Sequence, residues 1–491
     1  MLSKNLKTKL GRPLLGLALL LLIIFYIFQE YNQLGLFADD IPTIYRLSRD
    51  LSFGEILHIA HAYDAARDLH LVWQKIFIDI SKPKIISNIH FYQLTLYLIN
   101  SVILYFIIIK LGITVKNSFI CLLFFISFPL YAEVAFWTHA FSMVLMSGLF
   151  FLLFIICNLQ IVITQKNKFV LEVFSIIFIF LNIFTYEQSI VVSFFIILLR
   201  EFFILKENKK RLTFSIIIIS FYLVIIILFS VYKLYAAGVF DVGPKSNFTG
   251  SSFSSPQQWL LNLKRGYGLF IVNLFNFDLF KQLSKENLYI ISSLTIGLYF
   301  YLSSFKILKY KNNFKISSYK VFICIVLYTL AFIPLYIHYI SDRHFYIPSI
   351  FAIIGFGFIL NEVSSFSENT KKNSFLFNFL ISIFIINNFM NFGGIKNTYI
   401  NNFQLKKDFY TEIIHLEDIK NISHIALLDF PDLNDDVIFF AHEQMETLNL
   451  FFKDDKLPKI VKINDMRPQK DNVIVKYIEI KNKKIIYKIY D

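Results

Sequence analysis

The feature that most constrains the fold is a repeating series of long apolar runs separated by short segments that carry lysine. Runs of about 18 residues or more recur along the chain, and a run of this length spans the hydrocarbon core of a bilayer as one helix. Hydrophobic residues make up 56% of the chain and charged residues only 17%, whereas soluble domains have roughly 25% charged residues. The pattern therefore predicts a polytopic α-helical membrane protein.

We count about eleven such runs, which predict about 11 transmembrane helices. The first run, roughly residues 13–28, follows four basic residues and precedes no small-residue cleavage site, so we expect an uncleaved membrane anchor. The runs are centred near residues 20, 100, 124, 150, 177, 196, 223, 296, 329, 353 and 382.

The basic residues predict which side of the membrane each loop faces. Cytoplasmic loops of membrane proteins are enriched in Lys and Arg, and here every second loop carries them, at residues 110–116, 166–168, 206–211, 306–315 and 371–372. We therefore expect a cytoplasmic N-terminus and, because the number of spans is odd, an extracytoplasmic C-terminus. Topology thus accounts for the formal net charge of +13, and we predict no nucleic-acid partner.

The sequence predicts a transmembrane region, residues 1–392, and a C-terminal domain, residues 393–491. The transmembrane region has two long outer loops, 30–88 and 236–287, and residues 265–280 of the second are expected to form an interfacial or re-entrant helix rather than a full span. In the C-terminal region, "HIALLDFP" and "DNVIVKYIEIKNKKIIYKIY" alternate β-branched and polar residues, which predicts strands. We expect a small extracytoplasmic α+β domain. The three cysteines lie inside apolar runs and indicate no disulfide framework.

Two adjacent carboxylates, Asp39 and Asp40, follow the first apolar run. One interpretation is structural, because Asp40 suits the N-cap of a helix that begins near Pro42. The other is functional, because adjacent carboxylates repel each other and one of them then accepts a proton more readily. That property suits a general base or a cation site, and whether a divalent metal takes part stays open.

The stretch His61–Phe77 in the same outer loop is predicted to form one amphipathic helix. Its Arg67 either pairs with neighbouring acids at helical spacing or holds an anionic ligand.

Further ionisable residues lie at three turns between apolar runs, all on the predicted outer side. Charges at a bilayer edge are costly, so they are usually paired, snorkelling or functional. Trp and His also suit a membrane boundary for structural reasons, and Arg343 can pair with Asp342, although its planar fork also suits a phosphate. The residues at these turns are Glu133, Trp137 and His139 in the first, Glu187 in the second, and Arg343, His344 and Tyr346 in the third.

In their order along the chain, these motifs resemble those of the GT-C superfamily of polytopic glycosyltransferases. The resemblance is greatest to bacterial relatives of the protein O-mannosyltransferases and the TMTC-like enzymes. The matching segments are the Asp39–Asp40 pair, "PLYAEVAFW" (129–137), "YEQS" (186–189) and "RHFYIPS" (343–349). The Arg-Pro pair that usually follows the acidic pair is absent, and the tail has no tetratricopeptide signature.

The resemblance implies a glycosyltransferase of the bacterial inner membrane that uses a polyprenyl-phosphate-linked sugar on the extracytoplasmic face. Asp39 or Asp40 would deprotonate an acceptor hydroxyl, which attacks the anomeric carbon in a single inverting displacement, and Arg343 would stabilise the leaving phosphate. The acceptor could be a glycan, a lipid or a protein. Further candidates are His344 and Arg67 for the phosphate, and Glu133, Trp137, His139, Glu187 and Tyr346 for the rest of the site.

Three other classes of protein stay open. An O-antigen polymerase or ligase would carry a late outer loop rich in Arg and His, and residues 236–287 contain few such cations. A transporter or flippase of lipid-linked sugars would bury charges in mid-span and break its helices with Gly or Pro. A purely structural membrane protein would not explain four acidic turns on one side.

The predicted topology can be tested with reporter fusions. Fusions after residues 115, 208 and 312 should report a cytoplasmic location, and fusions after residues 60, 260 and 430 an external one, because Lys-rich loops stay inside. A tail fusion that reports from the cytoplasm would contradict the odd number of spans.

Overall fold

The computed structural model of the chain describes twelve α-helices and a C-terminal sheet. The described residues are 33–34, 43–44, 47–63, 68–82, 85–128, 132–138, 141–164, 168–207, 211–236, 313–333, 342–367, 371–415, 424–428, 433–434, 437–438, 459–463, 472–481 and 484–490.

The described part of the chain is dominated by α-helices. In chain order they are α1 (Phe53–Tyr63), α2 (Asp68–Ser81), α3 (Ile85–Lys110), α4 (Val115–Ser127), α5 (Ala132–Phe136), α6 (Met146–Thr164), α7 (Lys168–Thr185), α8 (Ile190–Glu207), α9 (Leu212–Ala236), α10 (Asn313–Phe332), α11 (Tyr346–Ser367) and α12 (Lys371–Ile414). A π-helical turn, Phe141–Leu145, leads into α6, and 3₁₀ turns, Glu187–Ser189 and Asp342–Phe345, lead into α8 and α11.

The chain is a helical, multi-pass membrane protein. Within the described residues, five helices are long and apolar enough to cross a membrane: Asn88–Lys110, Phe141–Thr164, Lys168–Thr185, Glu187–Lys206 and Leu212–Tyr232. The runs predicted near residues 124, 329 and 353 form shorter apolar helices, and the run near 382 lies within α12. The runs near 20 and 296 lie outside the described residues, so the total of eleven spans stays a prediction.

Two of the five helices have the exposed apolar surface that contact with lipid requires. In the most apolar 18-residue segment of each helix, only 28% of α7 and 17% of α9 is buried inside the protein. Their exposed side chains include Phe169 and Phe180 on α7 and Ile217 and Leu228 on α9. Single exposed apolar residues are normal in soluble proteins, but patches of this extent mark contact with a membrane or another protein.

The lysine-bearing ends of the helices lie together. This lysine end comprises the C-terminal ends of α3, α6, α8 and α11 and the N-terminal ends of α4, α7 and α9. Asn361 of α11 accepts hydrogen bonds there from the Thr114 N–H (3.1 Å) and Asn117 Nδ2 (2.7 Å), and donates one to the Gly112 carbonyl (3.2 Å). Gly112 has a φ of 88°, which glycine adopts without steric cost, so the chain can turn sharply between α3 and α4.

A buried ionic network near the lysine end joins four helices. Arg200 of α8 lies 2.9 Å from Glu172 of α7 and 2.7 Å from Glu201, through Nη1 and Nη2 respectively. The side chains of Arg200 and Glu201 are 2% and 1% exposed. Arg200 Nη1 also donates to Asn158 Oδ1 of α6 at 2.8 Å. Ser215 of α9 donates its hydroxyl hydrogen to Glu201 at 2.5 Å.

The network continues through neutral side chains. Asn158 Nδ2 donates to Ser175 Oγ at 3.0 Å, and Tyr222 of α9 donates to the same oxygen at 2.8 Å. Charges removed from water are stable only if they are paired and hydrogen-bonded. These contacts therefore fix how α6, α7, α8 and α9 pack together.

The opposite end of the helices is the acidic end, defined by α5 and the two 3₁₀ turns. The 44-residue α12 passes it, because the Phe136 ring of α5 packs against the rings of Phe392 (5.0 Å) and Tyr399 (5.7 Å). The helix then continues to Ile414, about 22 Å beyond Tyr399 at 1.5 Å per residue.

A mixed four-stranded sheet packs on the far end of α12. Its order is β4-β1-β5-β6, in which β1 (His424–Leu428) lies parallel to β4 (Lys459–Ile463) and β5 (Asn472–Lys481), and β6 (Lys484–Tyr490) lies antiparallel to β5. A separate two-stranded ladder joins β2 (Leu433–Asn434) to β3 (Val437–Ile438).

Two contacts attach this sheet to α12. The Phe409 ring lies 5.3 Å from the Tyr487 ring, and Lys484 Nζ lies 3.7 Å from Glu412. The strands β1, β5 and β6 lie where the sequence predicted strands in the tail, which confirms that prediction. Because α12 runs unbroken across residue 393, the predicted domain boundary at that residue stays a prediction.

The prediction of one helix over residues 61–77 is wrong. The described residues instead form two helices, α1 and α2, which pack against each other. Helix α1 has its own N-terminal stabilisation. Ser52 and Glu55 form a capping box at the start of α1, with Ser52 N–H donating to Glu55 Oε2 at 2.7 Å and Glu55 N–H to Ser52 Oγ at 3.3 Å. Residues 64–67, where the chain passes between the helices, lie outside the described residues, as does the predicted interfacial segment 265–280.

The ionic network should dominate the stability of the helices around it. Arg200→Met removes the cation and leaves Glu201 buried without its counter-charge, which typically costs about 3–5 kcal/mol. We expect a large fall in the unfolding temperature of the detergent-purified protein.

Lys206→Met is the matched control, since it also replaces a basic residue by Met but at an exposed position of the same helix, and it should leave the unfolding temperature almost unchanged. The triple variant Arg200→Met/Glu172→Gln/Glu201→Gln should recover most of the loss. Equal effects of Arg200→Met and Lys206→Met would show that the network is not structural.

Candidate functional site

Three turns that the sequence singled out pack together at the acidic end. The turn with Arg343 and His344 lies against α5, which forms part of the first turn, and the turn with Glu187 lies between α7 and α8. Gln188 Nε2 donates a hydrogen bond to the backbone carbonyl of His344. The ring of Tyr186 stacks on the His344 ring, with centroids 6.2 Å apart and planes 12° from parallel. The second and third turns are therefore fixed directly to each other.

The first turn is held by a glutamine of α3. Gln93 Nε2 donates to the carbonyl of Val134 at 2.8 Å and to that of Trp137 at 3.2 Å. Its Oε1 lies 3.0 Å from His90 Nδ1. Val134 lies in the last turn of α5 and Trp137 directly follows the helix, where no further helical turn supplies donors, so Gln93 substitutes for the missing backbone partners. This fixes the position of Trp137, which is buried.

Tyr346 is buried between α3 and α6, at the start of α11. Asn100 Nδ2 lies 3.1 Å from its hydroxyl oxygen and donates to the Leu145 carbonyl at 2.9 Å. Leu145 ends the π-helical turn, and such turns disturb the regular helical bonding pattern. Gly148 allows the Tyr346 ring to approach, because a Cβ added at Gly148 would lie 2.6 Å from Cε1 of that ring.

The segment 30–88, predicted to be an outer loop, contacts these turns through α2. Trp73 Nε1 donates to Thr185 Oγ1 at 3.1 Å, immediately before the second turn. The Trp73 ring also packs against Phe150 of α6 at 5.5 Å, and Phe77 against Phe141 at 4.9 Å. As a result, α2 lies against both the end of α7 and the π-helical turn.

The charges of α2 face away from this contact. Lys75 Nζ donates to Asp79 Oδ1 at 2.7 Å and to the Arg49 carbonyl at 2.9 Å. Partial burial would raise the pKa of Asp79, but hydrogen bonds and charges from Lys75 and Lys82 outweigh it and lower that pKa below its ordinary value. Asp79 is therefore ionised in the neutral pH range, and its ion pair with Lys75 gives it a structural role.

The structure describes the predicted site residues to different extents. His344, Trp137 and Tyr346 are buried in the contacts above, and Glu187 is half-buried at the start of its 3₁₀ turn. Glu133 lies on α5 and Arg343 in the third turn, but their side chains lie outside the described residues. So do Asp39, Asp40, Arg67 and His139. The structure thus brings three of the predicted turns together and does not place the acidic pair.

Sequence analysis missed the polar residues that hold these turns in place. They are Gln93 and Asn100 on α3, Gln188 in the second turn, and Asn182 on α7, whose Oδ1 accepts from Ser147 at 3.1 Å and Ser189 at 2.5 Å. Each is a side-chain amide at or inside an apolar run, and a polar residue inside a span usually faces the protein interior and finds a partner there. That rule could have identified these four residues from the sequence, but it could not have identified the groups that they bind.

In the described part of the chain, no group of three His, Cys, Asp or Glu residues could hold a metal ion. No family model matches the chain, and no curated protein or solved structure matches it either. The geometry above is therefore the basis for any functional inference.

The Tyr346 contact can be tested by adding one methyl group. Gly148→Ala forces the Tyr346 ring to shift and weakens its bond to Asn100, and overpacking of this kind typically costs about 1–3 kcal/mol. The unfolding temperature of the purified protein should fall.

Gly393→Ala is the matched control, because Gly393 also lies inside a helix but a Cβ there would meet no atom within 4 Å. That substitution should be neutral or stabilising by up to about 1 kcal/mol. A destabilisation of equal size at both positions would contradict the proposed close approach.

Proposed function

We propose that the chain is a membrane glycosyltransferase that transfers a sugar from a polyprenyl-phosphate donor to an acceptor hydroxyl. One observation carries the proposal. The turns that contain Glu133, Glu187 and Arg343, which are far apart in the sequence, meet at one end of the helices. A lipid-linked donor needs such a site, because its phosphate stays at the depth of the membrane surface while its sugar must reach polar side chains.

In the proposed mechanism, the acceptor hydroxyl loses its proton to Asp39 or Asp40. The hydroxyl oxygen attacks the anomeric carbon as the bond from that carbon to the phosphate oxygen breaks, so one displacement inverts the configuration. The lipid phosphate leaves with the bonding electrons, and Arg343 stabilises its charge. A phosphate needs little protonation to leave, so the second carboxylate that ordinary glycosidases use is not required.

The other candidates have supporting roles in this proposal. Arg67 and His344 would assist in binding the phosphate, and Glu133, His139 and Glu187 would contact the acceptor or the sugar. Trp137 and Tyr346 are buried, which supports roles in shaping the site rather than in contacting the acceptor directly.

The sidedness of the acidic end also belongs to the proposal. The lysine end would face the cytoplasm of a bacterial cell and the acidic end the outside of its inner membrane, with about eleven spans between them. The sheet that follows α12 would then form an extracytoplasmic domain beside the site, where it could guide a glycan, lipid or protein acceptor.

A second candidate function is transport of lipid-linked sugars. The buried charges of Arg200, Glu172 and Glu201 favour it, because ionisable groups inside spans often mark a transport path. These groups bind one another, however, which a structural network explains equally well. Transport without transfer would leave the sugar on its lipid, so mass spectrometry of the lipid product separates the two functions.

The catalytic assignment can be tested with Asp39→Asn and Asp40→Asn. Asn keeps the size and can still cap a helix, but it does not accept a proton from a hydroxyl. Loss of a positioned base typically lowers the rate about 100- to 10,000-fold, so one of the two variants, by expectation Asp39→Asn, should lose transfer of labelled sugar from the lipid.

Asp50→Asn serves as the control, since Asp50 is exposed in the same loop, and it should transfer sugar at the parent rate. Arg343→Ala should weaken donor use through loss of the phosphate contact. If Asp39→Asn and Asp40→Asn both transfer sugar at the rate of the parent protein, the proposed mechanism is contradicted.

A further inference from the structure

Two glutamines at the acidic end have buried amide atoms without a hydrogen-bond partner among the described residues. Gln74 of α2 is fully buried, and neither its Nε2 nor its Oε1 is hydrogen-bonded. Gln188 is also fully buried, and its Oε1 has no partner although its Nε2 binds the His344 carbonyl. Nearly all buried polar groups in proteins are hydrogen-bonded, and an unsatisfied one typically costs about 1–3 kcal/mol. These atoms therefore require an explanation.

A third such atom lies in the same region. Thr138 is fully buried next to Trp137, and its Oγ1 has no partner in the described part of the chain. The pairing of the other amides at this end varies, since among the described residues Asn100 pairs its Nδ2 but not its Oδ1. Gln93, one helix away, uses both of its amide atoms. Unpaired amides are thus a property of particular positions rather than of the whole acidic end.

Contacts around the three residues place them on neighbouring elements. Trp73, next to Gln74, binds Thr185, and Gln188 follows Thr185 by three residues. On the other side, Phe77, one turn after Gln74, packs on Phe141, which follows Thr138 by three residues. The helix that carries Gln74 is therefore held between the end of α7, which leads into the turn with Gln188, and the π-helical turn, which begins three residues after Thr138.

The chemistry of these groups favours a neutral ligand with hydroxyl groups. Glutamine offers both donors and an acceptor, and threonine a hydroxyl that can do either. A phosphate would instead require Arg or Lys. A site built to hydrogen-bond a substrate hydroxyl discriminates strongly against analogues that lack it, because its own polar groups then stay unpaired.

We propose that Gln74, with Gln188 Oε1 and Thr138 Oγ1, binds the hydroxyl groups of the glycosyl part of the substrate, and that Gln74 determines which sugar is accepted. This inference rests on the proposed function. It assigns the sugar to the buried side of the acidic end, between α2 and the first two turns, and leaves the phosphate to the third turn. The aromatic side chains of Trp73 and Phe77, on either side of Gln74 in the sequence, fix the helix that presents it.

The test uses Gln74→Met in the purified full-length protein, because Met keeps the length of Gln and favours helix formation. The probes are undecaprenyl phosphate and undecaprenyl-phosphate-linked glucose, galactose, mannose and N-acetylglucosamine. The measurements are the unfolding temperature without a probe and the apparent affinity for each probe from the shift in that temperature.

We expect the parent protein to bind one sugar-bearing lipid more tightly than undecaprenyl phosphate. Gln74→Met should lose about 10-fold or more of that affinity, as expected for one or two lost hydrogen bonds, and should bind undecaprenyl phosphate unchanged. Without a probe, Gln74→Met should unfold at the same or a higher temperature, because the variant no longer buries an unpaired amide.

Gln93→Met is the control, since it removes an amide with a full set of partners and should lower the unfolding temperature. A comparable fall in Gln74→Met would mean that protein or water already satisfies Gln74, and would overturn the inference. Binding of undecaprenyl phosphate with no sugar preference, or with a preference that Gln74→Met retains, would overturn the inference but not the proposed function. If no probe stabilises the parent protein, both fail.

Discussion

The ion pairs of Arg200 are the interaction on which the arrangement of the spans depends most. A guanidinium buried among apolar helices is stable only if carboxylates and hydrogen-bond acceptors surround it, and here Glu172, Glu201 and Asn158 do so. Arg200 fixes α6 and α7 directly to its own helix, α8, and Ser215 adds α9 through Glu201. Lipid supplies no alternative partners for these groups. The need to pair them therefore restricts how the helices can pack more strictly than apolar contacts do.

The need to pair buried polar groups also shapes the acidic end, but there some of these groups stay unpaired. Gln93, Asn100 and Asn182 satisfy the carbonyls and hydroxyls of the irregular turns and so allow helices to begin and end there. Gln74 and Gln188 retain unpaired atoms in the described structure. Buried amide atoms that stay unpaired at the acidic end are expected to bind a ligand, since function commonly retains such costs.

Sequence reasoning predicted the elements of this fold better than their contacts. Apolar runs predicted the long helices because burial in lipid demands about 20 consecutive apolar residues, and alternation predicted β5 and β6. The break between α1 and α2 was missed because a helical pattern of polar residues runs across it. The acidic turns were found from charges at the ends of runs. Their partners were not, because Asn100 and Tyr346 are far apart in sequence and nothing in either segment identifies the other.

The most direct test of the central claim, that the acidic end binds the lipid phosphate, is photoaffinity labelling with a photoactivatable analogue of undecaprenyl phosphate. Labelled peptides from the protein in membranes would be identified by mass spectrometry, with and without excess unmodified undecaprenyl phosphate. Labelling should concentrate on the third turn, around Arg343 and His344, and the excess lipid should displace it. Labelling at the lysine end near Arg200, or labelling that excess lipid does not displace, would contradict the account.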